Sequence, residues 1–363
     1  MGGGTIELKK VAILSAVNIK HMAMVSIYQK LFKENDIVFD LIYMDKYGCE
    51  EKFECNKIYR FENIIEREWS KPKKILQYFR FRKYAISILE KNKYDFIVVW
   101  NDVAIYMFAD YLAKKWNRKY CLNIRDTQKK ALLEKAWFKI ATDGAAYNTV
   151  SSVAYLPFLP KGEYTLIHSY NSTMTDKCQV RESFRGDSEP IRIAFVGKIR
   201  FFEYNKALLD VFANDKRFIL GYYGIYSEEL SEYAGRNGIH NVDFYGEFPI
   251  EDTWRFIDKT DIINNFYGND TINRKTALSQ KLYYGIGLYL PILATENTYT
   301  ADLVKKYDIG VSTDKIDDEL PDKIYQWYRN IKFNDFKNNC DRFMKDVISS
   351  QNSFKELCLQ HLQ

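Results

Sequence analysis

Hydrophobic positions along the chain fall into short apolar runs separated by stretches of helical spacing. "KVAILSAV" (10–17) has the character of a buried parallel strand, and "HMAMVSIYQKLFKEN" (21–35) sets its apolar residues on one helical face. The alternation continues through strand-like "DIVFDLIYM", "YDFIVVW", "KYCLNIRD", "GAAYNTVSS" and "EYTLIHSYN", with "DVAIYMFADYLAKKWN" and "QKKALLEKAWFKIAT" reading as helices between them. "RESFRGDSEP" (181–190) is polar, carries Gly and Pro, and breaks the rhythm as a linker would. The pattern then restarts. "IRIAFVG", "RFILGYYG", "NVDFYG", "DIINNFYG", "LPILAT" and "IGVST" read as strands with helical segments between them, and helices run from Asp317 to the end.

Strands alternating with helices predict parallel sheets covered on both faces. The expected fold class is α/β, with two Rossmann-like doubly wound domains facing a cleft. The expected boundaries are residues 1–180 and 191–345, joined by 181–190, with 346–363 as a C-terminal helix crossing back to the first domain. Ligands of such sheets lie beyond the carboxyl ends of the strands. Here those are the loops after Val17, Asn123, Gly197, Gly224, Gly246, Tyr267 and Thr295.

Composition narrows the classes. The 363 residues are 47% hydrophobic and 28% charged with both signs mixed, which suits two cored domains and excludes a disordered chain. A net charge of +5 is too small to argue for nucleic acid. The six cysteines form no Cys-x-x-Cys pair and read as free thiols of a reducing compartment. No apolar run is long enough to span a bilayer, and no signal-peptide pattern opens the chain. A soluble cytoplasmic protein is expected. "GIG" at 285–287 suggests a dinucleotide loop, but its glycines end a helical pattern instead of opening one, and no Gly-x-Gly-x-x-Gly follows any strand.

In this order, "IRIAFVGKIR", "NVDFYGEF", "SQKLYYGIGLYLPILATE" and "YDIGVS" resemble the motif series of glycosyltransferase family 4, a group with the two-Rossmann GT-B architecture. "YNTVSS" and "YTLIHSYN" in the first half, and "SFKEL" near the end, fit the same series. The resemblance implies transfer of a sugar from a nucleotide-sugar, UDP- or GDP-linked, with the donor held mainly by the second domain. It implies no resident cofactor.

The donor side is then expected at Gly197, Lys198, Arg200, Gly224, Glu247, Phe248, Asn265, Tyr267, Ser279, Lys281 and Tyr284. The chain has no Asp-x-Asp metal-diphosphate motif, so no metal is expected. Lys198 and Arg200, between a strand and a helix start, would take the developing charge of the leaving diphosphate. The resemblance places carboxylates at the positions of Thr276 and Tyr284, and this sequence has neither. Tyr284 either hydrogen-bonds a ribose beside Lys281 or only packs. Asn264 and Asn265 either face a partner or bond within the core.

On the acceptor side, His21 follows the first strand and Asp126 follows "LNIR". Asp126 is the candidate base if the reaction inverts the anomeric centre; the family resemblance implies retention. Asp126 would equally serve as a helix N-cap. Arg67–Lys93 mixes basic residues with Trp69, Tyr78, Phe79, Phe81 and Tyr84. It reads either as a membrane-surface helix suited to a lipid-linked acceptor of bacterial surface polysaccharide assembly, or as an ordinary amphipathic helix. The competing functions are a nucleotide-sugar epimerase and a non-catalytic binding or scaffold relative.

Overall fold

The computed structural model describes residues 9–22, 24–66, 68–126, 132–171 and 175–362. Two compact units result. One runs to His168 and includes Ser350 onward; the other is Ser169–Ser349.

The first unit is built on β1 (Val11–Ser15), α1 (Val25–Glu34), β2 (Phe39–Asp45), β3 (Lys57–Glu62), α2 (Lys71–Lys91), β4 (Phe96–Trp100), α3 (Asp102–Lys115), β5 (Tyr120–Ile124), α4 (Leu132–Gly144), β6 (Tyr147–Val150) and the two-residue β7 (Thr165–Leu166). Its strands are all parallel, in the order β3-β2-β1-β4-β5-β6-β7. Strands β1, β4 and β5 are buried along their whole length, as unbroken apolar runs in a doubly covered sheet must be.

The second unit contains β8 (Ile191–Val196), α5 (Phe202–Val211), β9 (Phe218–Tyr223), α6 (Ser227–Arg236), β10 (Val242–Tyr245), α7 (Thr253–Ile257), β11 (Ile262–Asn265), α8 (Ile272–Thr276), α9 (Gln280–Gly287), β12 (Ile292–Thr295), α10 (Tyr299–Tyr307), β13 (Gly310–Thr313), α11 (Leu320–Asn330) and most of α12 (Phe333–Leu362). Its six strands are parallel in the order β10-β9-β8-β11-β12-β13. The order reverses between β8 and β11, which makes the ends of those two strands the place where a doubly wound sheet opens a crevice. Both units are thus α/β with parallel sheets.

Helix α12 supplies Phe336, Cys340, Phe343 and Val347 to the core of the second unit, and Phe354, Cys358 and Leu362 to that of the first. The polar stretch 181–190 belongs to the second unit. Its polarity has a local cause: Arg185 Nε donates to buried Asp261 at 2.6 Å, and Phe184 packs among Tyr328, Phe333 and Phe336. Strand β3 was not legible in "KIYRFE", because an edge strand with mixed exposure carries no apolar run.

A buried carboxylate organises the loops around β1 and β2. Asp45 Oδ1 accepts from the Asn18 amide at 2.7 Å and from the backbone N–H groups of Tyr47 and Gly48, while Oδ2 accepts from Arg60 Nε at 2.9 Å. Burial pushes this carboxyl's pKa up, but the Asn18, Tyr47 and Arg60 bonds outweigh it and hold the group below its ordinary value of 3.8. A depressed folded-state value means that the stabilisation is present above pH 3.8 and is lost as pH falls through the folded value. We expect Asp45→Asn to lower the unfolding free energy by roughly 2–3 kcal/mol at neutral pH. Urea titrations at descending acidic pH should show the difference from the parent chain shrinking.

Candidate active site

Three strands of the second unit run straight into a glycine, "FVG", "YYG" and "FYG" closing β8, β9 and β10 at Gly197, Gly224 and Gly246, and a second "FYG" follows the end of β11 and reaches Gly268. Three of these glycines have positive φ, at +114° for Gly197, +141° for Gly224 and +78° for Gly268. The requirement is steric as well as conformational. A Cβ on Gly224 would stand 2.0 Å from the Gly197 carbonyl oxygen. The Gly197 N–H donates to the Tyr223 carbonyl and the Gly224 N–H to the Tyr245 carbonyl, both at 2.8 Å, so the turns are pinned side by side.

Lys281 comes to this turn from α9. Its Nζ donates to the Tyr267 hydroxyl at 2.8 Å, lies 3.9 Å from the centre of the Phe195 ring, and is 4.0 Å from where a Cβ on Gly197 would be. The start of α9 is fixed by Ser279 Oγ, which donates to Asn265 Oδ1 at 2.7 Å. The loop after β11 is tied to β12 through Thr295 Oγ1, which accepts from the N–H groups of Tyr267 and Gly268. Gly197, Tyr267, Ser279, Asn265 and Lys281 are therefore brought together, with an ammonium group beside a glycine turn at the β8–β11 switch point. Such an arrangement attracts a phosphate-bearing ligand.

Lys198 and Arg200 are exposed on the loop leaving that turn, and Lys198 Nζ lies 5.3 Å from the Tyr226 ring. Phe201 and Tyr226, each preceding a helix, have φ of +62° and +72°. Bulky side chains rarely adopt that region, and such strain concentrates at functional sites. Phe201 packs at 4.9 Å against Tyr267 with the rings tilted by 40° and receives Arg274 at 4.3 Å. Lys206, by contrast, is paired with Glu229 and Glu203.

Glu247 is exposed just past β10. Phe248, half-buried, packs at 4.4 Å on Phe256, which also holds Tyr223 and Tyr245 at 4.8 and 5.0 Å. An aromatic step thus lies beside the ends of β9 and β10, able to stack a planar ring.

At Tyr284 and Asn264 the sequence left two readings open. Tyr284 is 4% exposed in the core with Leu282 and Ile286, and its hydroxyl has no hydrogen-bond partner among the described residues. Burial, with Tyr267 nearby, pushes its pKa well above the ordinary value. The hydroxyl is sealed from solvent, which is the packing alternative of the two readings the sequence left open for Tyr284. Asn264 bonds inward, donating to Asn205 Oδ1 at 3.2 Å and accepting from the Phe266 N–H.

In the first unit, His21 stands on a short 3-10 turn, Ile19–His21, capped by Glu51, which accepts from the N–H groups of Ile19 and Lys20 at 2.9 and 2.7 Å. The imidazole Nε2 lies 3.0 Å from the Tyr47 hydroxyl. Asp126 is exposed immediately after β5, and the Arg125 carbonyl before it accepts from Ser151 and Tyr155. The helix start that would make Asp126 an N-cap lies outside the described residues, as does Arg67. Among the described residues there is no cluster of His, Cys, Asp and Glu able to hold a metal ion.

Sequence reading missed Gly268, Thr295, Phe201, Tyr226 and Arg274. The fourfold aromatic-x-Gly pattern at or after the strand ends was the available signal for Gly268. The others act through contacts between segments distant in sequence.

Solved structures share this architecture. The chain aligns over 97% of its length, and 98% of the other chain, with sucrose-phosphate synthase from Thermosynechococcus elongatus at a TM-score of 0.73 and 12% identity. A glycosyltransferase from Rickettsia africae aligns over 98% and 99% at 0.69 and 11%. Anabaena HepE, solved in complex with UDP and glucose, aligns over 97% and 100% at 0.65 and 12%. The fold is therefore that of GT-B glycosyltransferases. No protein-family model and no curated protein sequence matches the chain.

Gly224→Ala should lower the stability of the second unit by about 2–4 kcal/mol, because the new methyl meets a backbone oxygen and the φ is unfavourable. Gly235→Ala, where a Cβ would meet nothing within 4 Å, should be neutral or slightly stabilising in the same urea-unfolding measurement.

Proposed function

We propose that the chain is a glycosyltransferase that moves a sugar from a nucleotide-sugar donor, UDP- or GDP-linked, to a saccharide or lipid-linked saccharide acceptor, in bacterial surface polysaccharide synthesis. The observation that carries this reading is the Lys281 ammonium held beside the Gly197 turn at the β8–β11 switch point. A diphosphate placed there meets Lys281 and the exposed Lys198 and Arg200. These groups neutralise the charge that grows on the leaving diphosphate, without requiring a metal. Half-buried Phe248 and exposed Tyr245, backed by buried Phe256, offer a stacking surface for the base.

In the retaining form of the reaction, the bond from the anomeric carbon to the phosphate oxygen breaks. The acceptor oxygen then bonds to the same face, and its proton passes to the departing phosphate oxygen. In the inverting form the acceptor proton goes to a base, and Asp126 is the residue for it. Lys198 and His21 complete the candidate catalytic set, the first at the leaving group and the second on the acceptor side. A scaffold reading is favoured by one observation. Where the resemblance implies two carboxylates, the chain has Thr276, whose hydroxyl donates to the Ile272 carbonyl at 2.6 Å, and buried Tyr284.

Calorimetry with UDP and GDP separates the two. The transferase reading predicts saturable binding of one of them, and Lys281→Met should weaken it roughly 10–100-fold, the loss of a charge-assisted contact. Binding of neither nucleotide favours the scaffold. If turnover is inverting, Asp126→Asn abolishes transfer while leaving nucleotide affinity unchanged; full transfer by this variant leaves the retaining form.

A further inference from the structure

Helix α2 divides its aromatic residues between the core and the surface. Phe81 is fully buried against Phe61 and Phe108. Tyr84 is half-buried at 5.0 Å from Phe61, and the Tyr78 hydroxyl accepts from Lys46 Nζ at 3.1 Å. Phe81, Ala85 and Leu89, spaced by four, are the residues that seat the helix on its unit.

A different set faces outward. Ile75 is 53% exposed, Leu76 58% and Phe79 62%, with exposed Pro72 one turn before Leu76. These four share one side of the helix. Exposed Lys73, Arg80 and Lys83 flank them, and the sole acid in α2 is Glu90, near its far end. Single exposed apolar residues are ordinary, but adjacent large ones rimmed by one sign of charge mark a contact surface.

We infer that the outward face of the first half of α2 docks on an anionic lipid surface, with Ile75, Leu76 and Phe79 entering the acyl boundary and Lys73, Arg80 and Lys83 meeting phosphate headgroups. Charge chooses this occupant. A second copy would set the same cations against each other, whereas an anionic bilayer matches both the apolar centre and the basic flanks. No helix among the described residues is long and apolar enough to cross a membrane, so the contact is one of lying on the surface. The inference rests on the lipid-linked acceptor in the proposed function only for its biological sense; its geometry stands on α2 alone.

The test is co-flotation of the full chain with vesicles of equal parts phosphatidylcholine and phosphatidylglycerol, against phosphatidylcholine alone, at low and high salt. Binding to the anionic vesicles that weakens with salt is expected. Leu76→Ala with Phe79→Ala should reduce partition by about tenfold or more. Lys73→Gln, Arg80→Gln and Lys83→Gln together should reduce it about a hundredfold on anionic vesicles. These positions are exposed, and unchanged thermal unfolding and UDP titration of each variant show that the fold and the donor site are intact. Absence of binding at low salt overturns the inference, as does binding indifferent to Leu76 and Phe79. So does self-association in sedimentation that Leu76→Ala abolishes, which would assign the face to a second copy. A chain that floats but binds no nucleotide would sink the transferase reading and leave this one standing.

Discussion

The second unit depends on two strands ending close enough for backbone to touch backbone. Gly224 lies against the Gly197 carbonyl at a distance that admits no side chain. That approach fixes where the loops after β8 and β9 begin, and it holds the turn after Val196 open toward the strand ends. Parallel sheets leave their ladder groups unpaired at these ends, and a doubly wound order separates the flanking helices at its reversal. The glycines bring the main chain after β8 and the main chain after β9 into contact at that opening.

Charge is then delivered to the Gly197 turn by a side chain that is held. Lys281 is restrained by the Tyr267 hydroxyl and by the Phe195 face, so its ammonium loses less freedom on meeting a ligand than an exposed lysine would. Lys198 and Arg200 are the exposed complement on the adjoining loop. The strained backbone at Phe201 and Tyr226 sets one ring against Tyr267 and Arg274 and the other 5.3 Å from Lys198 Nζ, a cost in stability that the surrounding contacts offset. Buried Tyr284 belongs to the support of this arrangement, not to its surface.

The alternation of apolar runs and helical spacing made the two parallel α/β units legible, since doubly covered strands must be apolar throughout. Edge strand β3 was hidden because its exposure is mixed. The 181–190 stretch misled because polarity looks the same whether it faces water or a buried Asp261. Within the site, Gly197 and Gly224 were readable from position relative to strand ends, and Lys281 from the motif resemblance of "SQKLYYGIGLYLPILATE". The direction of Tyr284 was not: residues three apart on a helix are neighbours, yet Lys281 reaches the strand-end turn while Tyr284 turns into the core. Thr295, Arg274 and the aromatic step depend on contacts that no local pattern carries.

Hydrogen–deuterium exchange with and without saturating UDP tests the central claim most directly, because it reports where the nucleotide sits whether or not turnover is found. The account predicts slowed exchange at 198–201, 225–227, 267–268 and 279–281, the backbone around the Gly197 turn and Lys281. Protection confined to other segments, or none at a concentration where UDP binds, would contradict it.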